Sequence, residues 1–183
     1  HSDLDLVFVL EEDGLTRGGD EAISNQQFVA EVVRRLLKVL GGGPSDVPLY
    51  TVDTRLRPHG ASGPLVVTLD ALRDYYRGPA QVWERLALTR ARVIYSTGGF
   101  GRAVAREVHE ALTAAPPEGL AREVAAMRRR LESASVPNDL KRGYGGIADI
   151  EFLVHYLQLA HGADIPDILR PNLWETLDAL LDA

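Results

Sequence analysis

The sequence predicts an α+β protein, a small mixed sheet with helices followed by a helical part. Three observations carry that expectation. Residues 4–10 are an apolar run with several β-branched or aromatic members, which suits a strand. Residues 50–57 alternate, with Tyr50, Val52, Thr54 and Leu56 on one face and Thr51, Asp53 and Arg55 on the other. Near Leu69 the pattern changes to helical spacing, so the expected parts are residues 1–68 and 69–183.

The elements follow in order. Residues 11–24 are polar and glycine-rich, which predicts a long mobile loop. Residues 25–40 read as a helix whose apolar stripe is Phe28, Val32, Leu36, Val39 and Leu40, stopped by Gly41-Gly42-Gly43-Pro44. Pro58 ends the alternating strand, and residues 65–68 make another short one. Helices are expected at 70–76, 82–93, 100–112 and 120–131, the last two separated by Ala115-Pro116-Pro117-Glu118-Gly119. Helices at 147–160 and 172–181 complete the chain.

Composition narrows the function classes. The 183 residues suit one ordinary domain, or a domain with part of a helical neighbour, and 45% hydrophobic residues suit a packed core. With no cysteine, disulfides and thiolate metal sites are excluded. No run reaches membrane-spanning length and no signal peptide is visible, so a cytoplasmic protein without a membrane partner is expected. A net charge of −6 argues against nucleic-acid binding, which ordinarily calls for a basic surface. The five histidines, at positions 1, 59, 109, 155 and 161, show no metal-ligand spacing. Arg128-Arg129-Arg130 covers three sides of a helical turn and reads as a solvated face.

The most informative residues are Ser2-Asp3-Leu4-Asp5-Leu6. On a strand Asp3 and Asp5 project from one face, about 7 Å apart along the chain. Carboxylates held that closely repel, and Mg²⁺ relieves the repulsion. Such a pair alone is more often structural or solvated, so a third acid must join it. Asp53 is the candidate, if its strand lies beside the first. The competing reading is an exposed strand on which Asp53 and Arg55 simply pair.

Four blocks carry a resemblance. They are Ser2-Asp3-Leu4-Asp5-Leu6-Val7-Phe8; Val52-Asp53-Thr54-Arg55-Leu56-Arg57-Pro58 with Gly60-Ala61-Ser62-Gly63-Pro64-Leu65-Val66; Trp83-Glu84-Arg85-Leu86-Ala87-Leu88-Thr89-Arg90-Ala91-Arg92-Val93; and Asp139-Leu140-Lys141 followed by Gly145-Gly146-Ile147-Ala148-Asp149-Ile150-Glu151-Phe152-Leu153-Val154. In order, and over nearly the whole chain, they resemble the glutamine synthetase adenylyltransferase family. The resemblance implies a polymerase-β-like nucleotidyltransferase part at 1–68 and a helical part at 69–183. It implies a Mg²⁺-dependent enzyme that transfers AMP from ATP to a tyrosine of glutamine synthetase, regulating nitrogen assimilation. Asp3, Asp5 and Asp53 would be catalytic and hold Mg²⁺, while Ser2, Arg55 and Arg57 would touch the nucleotide.

Further expectations come with the resemblance. Glutamine synthetase and a PII signal protein are the implied partners. The family's glycine-rich segment and helix ahead of the Ser-Asp-x-Asp element are absent, because the sequence begins at His1. Family proteins carry two such domains of opposed activity, so removal of AMP by phosphorolysis is the alternative; Asp139 and Asp149 resemble the adding domain more. An inactive module that binds glutamine synthetase or a PII protein is a second alternative. Asp149 and Glu151 are read as acids that cap their helix or pair with preceding basic residues, against a role facing the nucleotide. The helix at 83–93 is expected to pack on the sheet, with Arg90 or Arg92 either reaching phosphate or pairing with Glu84 or Glu151.

Overall fold

The opening apolar run folds as two short strands, β1 (Leu4–Asp5) and β2 (Phe8–Leu10), each with a different neighbour. β1 pairs in parallel with β3 (Val52–Asp53), and β2 pairs in parallel with β4 (Val66–Thr68). Among the described residues, the mixed sheet expected from the sequence is a pair of two-stranded parallel sheets. The change of partner at Leu6 and Val7 is why one apolar run becomes two strands. The computed structural model describes residues 3–19, 21–42 and 50–183, which divide between Gly78 and Pro79 into two compact units.

In the first unit, α1 (Asn25–Leu40) begins at Ser24, whose hydroxyl accepts from the Gln27 N–H while the Gln27 side chain accepts from the Ser24 N–H. This reciprocal cap satisfies two backbone donors at the helix start. The segment before it folds back rather than running as a loose loop: Leu15 bridges Ser24, and Asp13 Oδ1 accepts from the Gln26 N–H at 3.0 Å. Gly41 ends the helix, donating to the Leu37 carbonyl at 2.9 Å; Gly43 and Pro44 lie outside the described residues.

An apolar stripe ordinarily marks the packed face of a helix, but α1 departs from this. Ala30 and Val33 are buried against Val66, with Phe8, Leu10, Val29, Leu37 and Leu65 packed around them. Phe28, Val32, Leu36 and Val39 remain largely exposed. The apolar arc is wider than the small sheet beneath it, so one edge is covered and the other is not. The Gln26 amide fixes the choice by donating to the Val66 carbonyl at 2.7 Å.

The helix α2 (Leu69–Arg77), capped by the Thr68 hydroxyl, packs on β2 and β4 and so lies in the first unit. Its buried Tyr75 meets the His59 ring edge-on at 4.9 Å.

The second unit holds α3 (Val82–Leu88), α4 (Phe100–Leu112), α5 (Leu120–Ser133), α6 (Ile147–His161) and α7 (Leu173–Leu181). α3 packs on α4, α5 and α6 within this helical unit. It also stops five residues short of Val93, because Thr89 closes it by donating its hydroxyl to the Leu86 carbonyl at 2.7 Å. Gln158 is buried and donates to the Ile168 and Arg170 carbonyls, tying α6 to the approach of α7. Arg128 is 7% exposed, so the reading of the arginine run as a solvated face fails at that residue, while Arg129 and Arg130 are exposed as expected. Among the described residues, no helix is long and apolar enough to cross a membrane.

Candidate active site

The acidic residues meet through strand register. In the β1–β3 pair, Asp5 stands opposite Asp53 and Leu4 opposite Val52. Backbone bonds from Leu4 N to Thr51 O and from Leu6 N to Asp53 O, both 2.8 Å, hold that register. Partners in a parallel pair project to the same side, and Asp3 lies two residues before Asp5. The sequence requirement that the Asp53 strand lie beside the first is therefore met.

The carboxylates are not equivalent. Asp3 and Asp5 are exposed, whereas the Asp53 side chain is only 16% exposed. Its Oδ1 accepts from the Arg55 N–H at 2.8 Å and from Arg55 Nε at 3.0 Å; its Oδ2 accepts from Nε at 2.8 Å and from Nη2. The Arg55 side-chain hydrogen bond, then its backbone N–H, hold the Asp53 carboxyl below the ordinary aspartate range. Asp53 in turn raises Arg55, with smaller help from Asp3 and Asp5. The ion pair weighed in the sequence is present between Asp53 and Arg55.

Arg57 is differently engaged. Its Nη1 donates to the Thr54 carbonyl at 2.6 Å and to the Thr54 hydroxyl at 2.9 Å, and Nε donates to the Gly63 carbonyl at 3.3 Å. These bonds close the tight loop from Arg57 to Gly63, in which His59 and Gly60 both take positive φ. Gly63 is required there, since a Cβ would overlap the Pro58 carbonyl oxygen. Ser2 lies outside the described residues.

The donor set suits a hard divalent cation, because Asp3, Asp5 and Asp53 offer carboxylate oxygens and nothing soft. Among the described residues, however, no group of three or more His, Cys, Asp or Glu side chains is gathered closely enough to hold one. Three donor groups of Arg55, its backbone N–H, Nε and Nη2, engage the Asp53 carboxylate, the Nε–H shared between both oxygens. The donor chemistry suits such a cation, and the placement of the side chains does not gather them around one.

The acids of the fourth block have a structural role. Arg128 Nε donates to Asp149 Oδ1 at 2.6 Å, and Asp149 Oδ2 accepts from the Gly145 N–H at 2.7 Å. The Arg128 hydrogen bond is the main cause that lowers the Asp149 carboxyl. Asp149 thus pairs with a preceding arginine, as one of the two sequence readings has it. Arg90 and Arg92 are exposed and lie beyond the end of α3, and neither pairs with Glu151 among the described residues. The expectation of a buried strut at these arginines is not met.

Sequence reasoning passed over one feature. An open cleft of about 160 Å³ in the second unit is lined by Leu86, Ala87, Arg90, Glu151, Phe152 and His155. Thr89 spends its hydroxyl proton on Leu86 O, so it accepts from His155 Nδ1 at 2.8 Å, and the Gln158 carbonyl oxygen lies 3.2 Å from the same nitrogen. The proton of neutral His155 is therefore assigned to Nδ1. Burial holds this imidazole below the usual histidine range. Only the six-residue spacing of His155 and His161 was visible in the sequence, and that spacing carries no signal for such a network.

Comparison with known proteins places these features in a lineage. The family model described as glutamate-ammonia ligase adenylyltransferase matches residues 1–130, and that described as GlnD PII-uridylyltransferase matches residues 118–183. A bifunctional glutamine synthetase adenylyltransferase/adenylyl-removing enzyme of Shewanella woodyi is 35% identical over 188 positions, covering 98% of this chain and 19% of that protein. The protein of the same description from Alteromonas mediterranea is 37% identical over 195 positions, covering 99% of this chain and 19% of its own length. The chain spans about a fifth of the length of these relatives. On the match over residues 1–130 and these identities, the chain belongs to the glutamate-ammonia ligase adenylyltransferase family.

Proposed function

We propose that this chain is a nucleotidyltransferase of polymerase-β-like type that transfers AMP from ATP to a tyrosine of glutamine synthetase. The observation that supports the reading is the parallel register of Asp5 with Asp53, with Asp3 two residues ahead of Asp5. Asp3, Asp5 and Asp53 would hold Mg²⁺, which when bound neutralises charge on the entering and leaving oxygens at phosphorus. Asp53, beside the attacking oxygen, would orient the tyrosine hydroxyl. Arg55 offers a planar fork to the phosphates, which lysine would match less well. Ser2, just ahead of the acids, would contribute its hydroxyl or N–H to a phosphate oxygen. Arg57 supports the site through the loop it closes and faces phosphate only if its bonds to Thr54 yield.

The relatives' description names both addition and removal of adenylyl groups, so phosphorolysis of adenylylated glutamine synthetase at the same acids is the second reading. The match of residues 118–183 to a PII-uridylyltransferase model supports a PII-type signal protein as a further partner. The test incubates the chain with glutamine synthetase, Mg²⁺ and α-labelled ATP, and separately with adenylylated synthetase and phosphate. Label on a synthetase tyrosine in the first reaction, lost in Asp5→Asn and Asp53→Asn, supports transfer. ADP formed in the second reaction alone supports removal. Label that survives both substitutions rules these acids out.

A further inference from the structure

Three polar groups converge on the cleft at the end of α3 and the first turns of α6, and none of them is satisfied by the protein. The Arg90 guanidinium and the Glu151 carboxylate both line it, and among the described residues neither side chain makes a hydrogen bond or ion pair. The third is His155, whose ring is fixed by its other edge. Its Nδ1–H is shared by the Thr89 hydroxyl and the Gln158 carbonyl oxygen, and the Gln158 amide is anchored on the Ile168 and Arg170 carbonyls. Nε2 is thereby set as a lone-pair acceptor. It has no partner, yet the fully buried side-chain polar atoms left without one among the described residues are Arg85 Nε and Arg128 Nη1, so Nε2 keeps its access to the cleft.

The rest of the lining selects what fits. Leu86, Ala87 and Phe152 supply an apolar floor. Arg90 and Glu151 carry opposite charges and His155 is neutral, so the lining favours neither an anion nor a cation. Its volume of about 160 Å³ is well below the roughly 300–1,000 Å³ of small-molecule pockets and suits one side chain rather than a nucleotide. We propose that this cleft receives an uncharged aromatic ring carrying one hydrogen-bond donor, as a tyrosine of a partner protein presents it. The phenol O–H donates to His155 Nε2, its oxygen accepts from Arg90, and the ring lies on Leu86 and Phe152. Tyrosine joins a large apolar body to a polar tip, the property that enriches it at interface centres. The site lies wholly in the second unit and uses none of the acids of the proposed transfer reaction.

The probe is p-cresol, titrated into the 183-residue chain carrying ¹⁵N-labelled histidine. The His155 Nε2 resonance should move saturably. Toluene, which keeps the ring and lacks the donor, should bind at least about fivefold more weakly. Arg90→Ala should weaken p-cresol about two- to fivefold, the size of an exposed cation–ring or rim contact. Ala87→Leu fills the floor without touching the histidine network and should abolish the saturable shift. N-acetyltyrosinamide should bind at least as well as p-cresol, because the cleft is open and its backbone stays outside, and acetate should displace neither. Equal affinity for toluene and p-cresol overturns the proposal, as does p-cresol binding that survives Ala87→Leu. Displacement by acetate overturns it in favour of an anion site, and refusal of N-acetyltyrosinamide overturns the partner side chain. A His155 resonance that stays still up to the solubility of p-cresol removes the site altogether.

Discussion

Arg128 reaches from α5 to the first turn of α6, where its Nε lies 2.6 Å from Asp149 Oδ1 while its Nη2 holds the Gly143 carbonyl at 2.8 Å. One buried guanidinium thus ties a helix, the start of the next and the loop between them. Its Nη1 makes no hydrogen bond, so the strut is satisfied on two of three nitrogens. Arg128→Ala should lower unfolding stability by about 2 kcal/mol, since it removes the Arg128 donor from the Gly143 carbonyl and leaves the Asp149 carboxylate only the Gly145 N–H. Urea denaturation measures this; an unchanged midpoint would remove the strut from the account.

Gly63 sits where a side chain has no room, and the Arg57 guanidinium closes on its carbonyl. Gly63→Ala should cost about 1–3 kcal/mol, the range for forcing an overlap on packed structure. It should also loosen the loop that follows Asp53. Thermal melting tests the first effect, and proteolysis within residues 57–63 tests the second. Intact loop protection together with an unchanged melting temperature would count against the geometry.

His155 predicts an acid response. Burial depresses its folded pKa, so as pH falls below about 6.5 the unfolded chain takes up the proton first. Stability should be fully present above that pH and decline as pH falls from it toward the folded value. The urea midpoint should therefore drop between pH 7.5 and 5.5, and drop less in His155→Gln. Identical pH profiles for the two proteins would show that His155 is hydrated when folded.

Arg90 and Arg92 are exposed beyond α3. Arg90→Ala and Arg92→Ala should each change stability by less than about 0.5 kcal/mol, the usual size for surface positions. A loss of several degrees in melting temperature for either would restore the strut that their exposure argues against.

Local pattern made some of this legible. Two-residue spacing set Asp3 and Asp5 on one side of the chain, because extended-chain period is a property of the backbone alone, whereas Arg55, expected on the strand face of Asp53, lies in the turn that follows β3. The limits of α1 and the start of α6 matched the expected 25–40 and 147, and α1 starts on the local Ser24–Gln27 cap. The end of α3 was missed because Thr89 stops it with a bond to its own backbone and a partner 66 residues away in His155.

Three matters were left to the tertiary structure. The break of residues 4–10 into β1 and β2 follows from which strands lie alongside, and nothing in an apolar run encodes its neighbours. The covered edge of α1 was set by the width of a two-stranded sheet, so Ala30 and Val33 are buried while Phe28 and Val32 are not. The α2 segment reads as the start of the helical half, yet it packs on β2 and β4, so the division between units follows Gly78. The sequence by itself determined which residues bear charge and that Asp3 and Asp5 share one side of the chain. Which charges meet, Asp5 with Asp53 across β1 and β3 and Arg128 with Asp149 across α5 and α6, depends on contacts distant in sequence, and only the folded chain decides those.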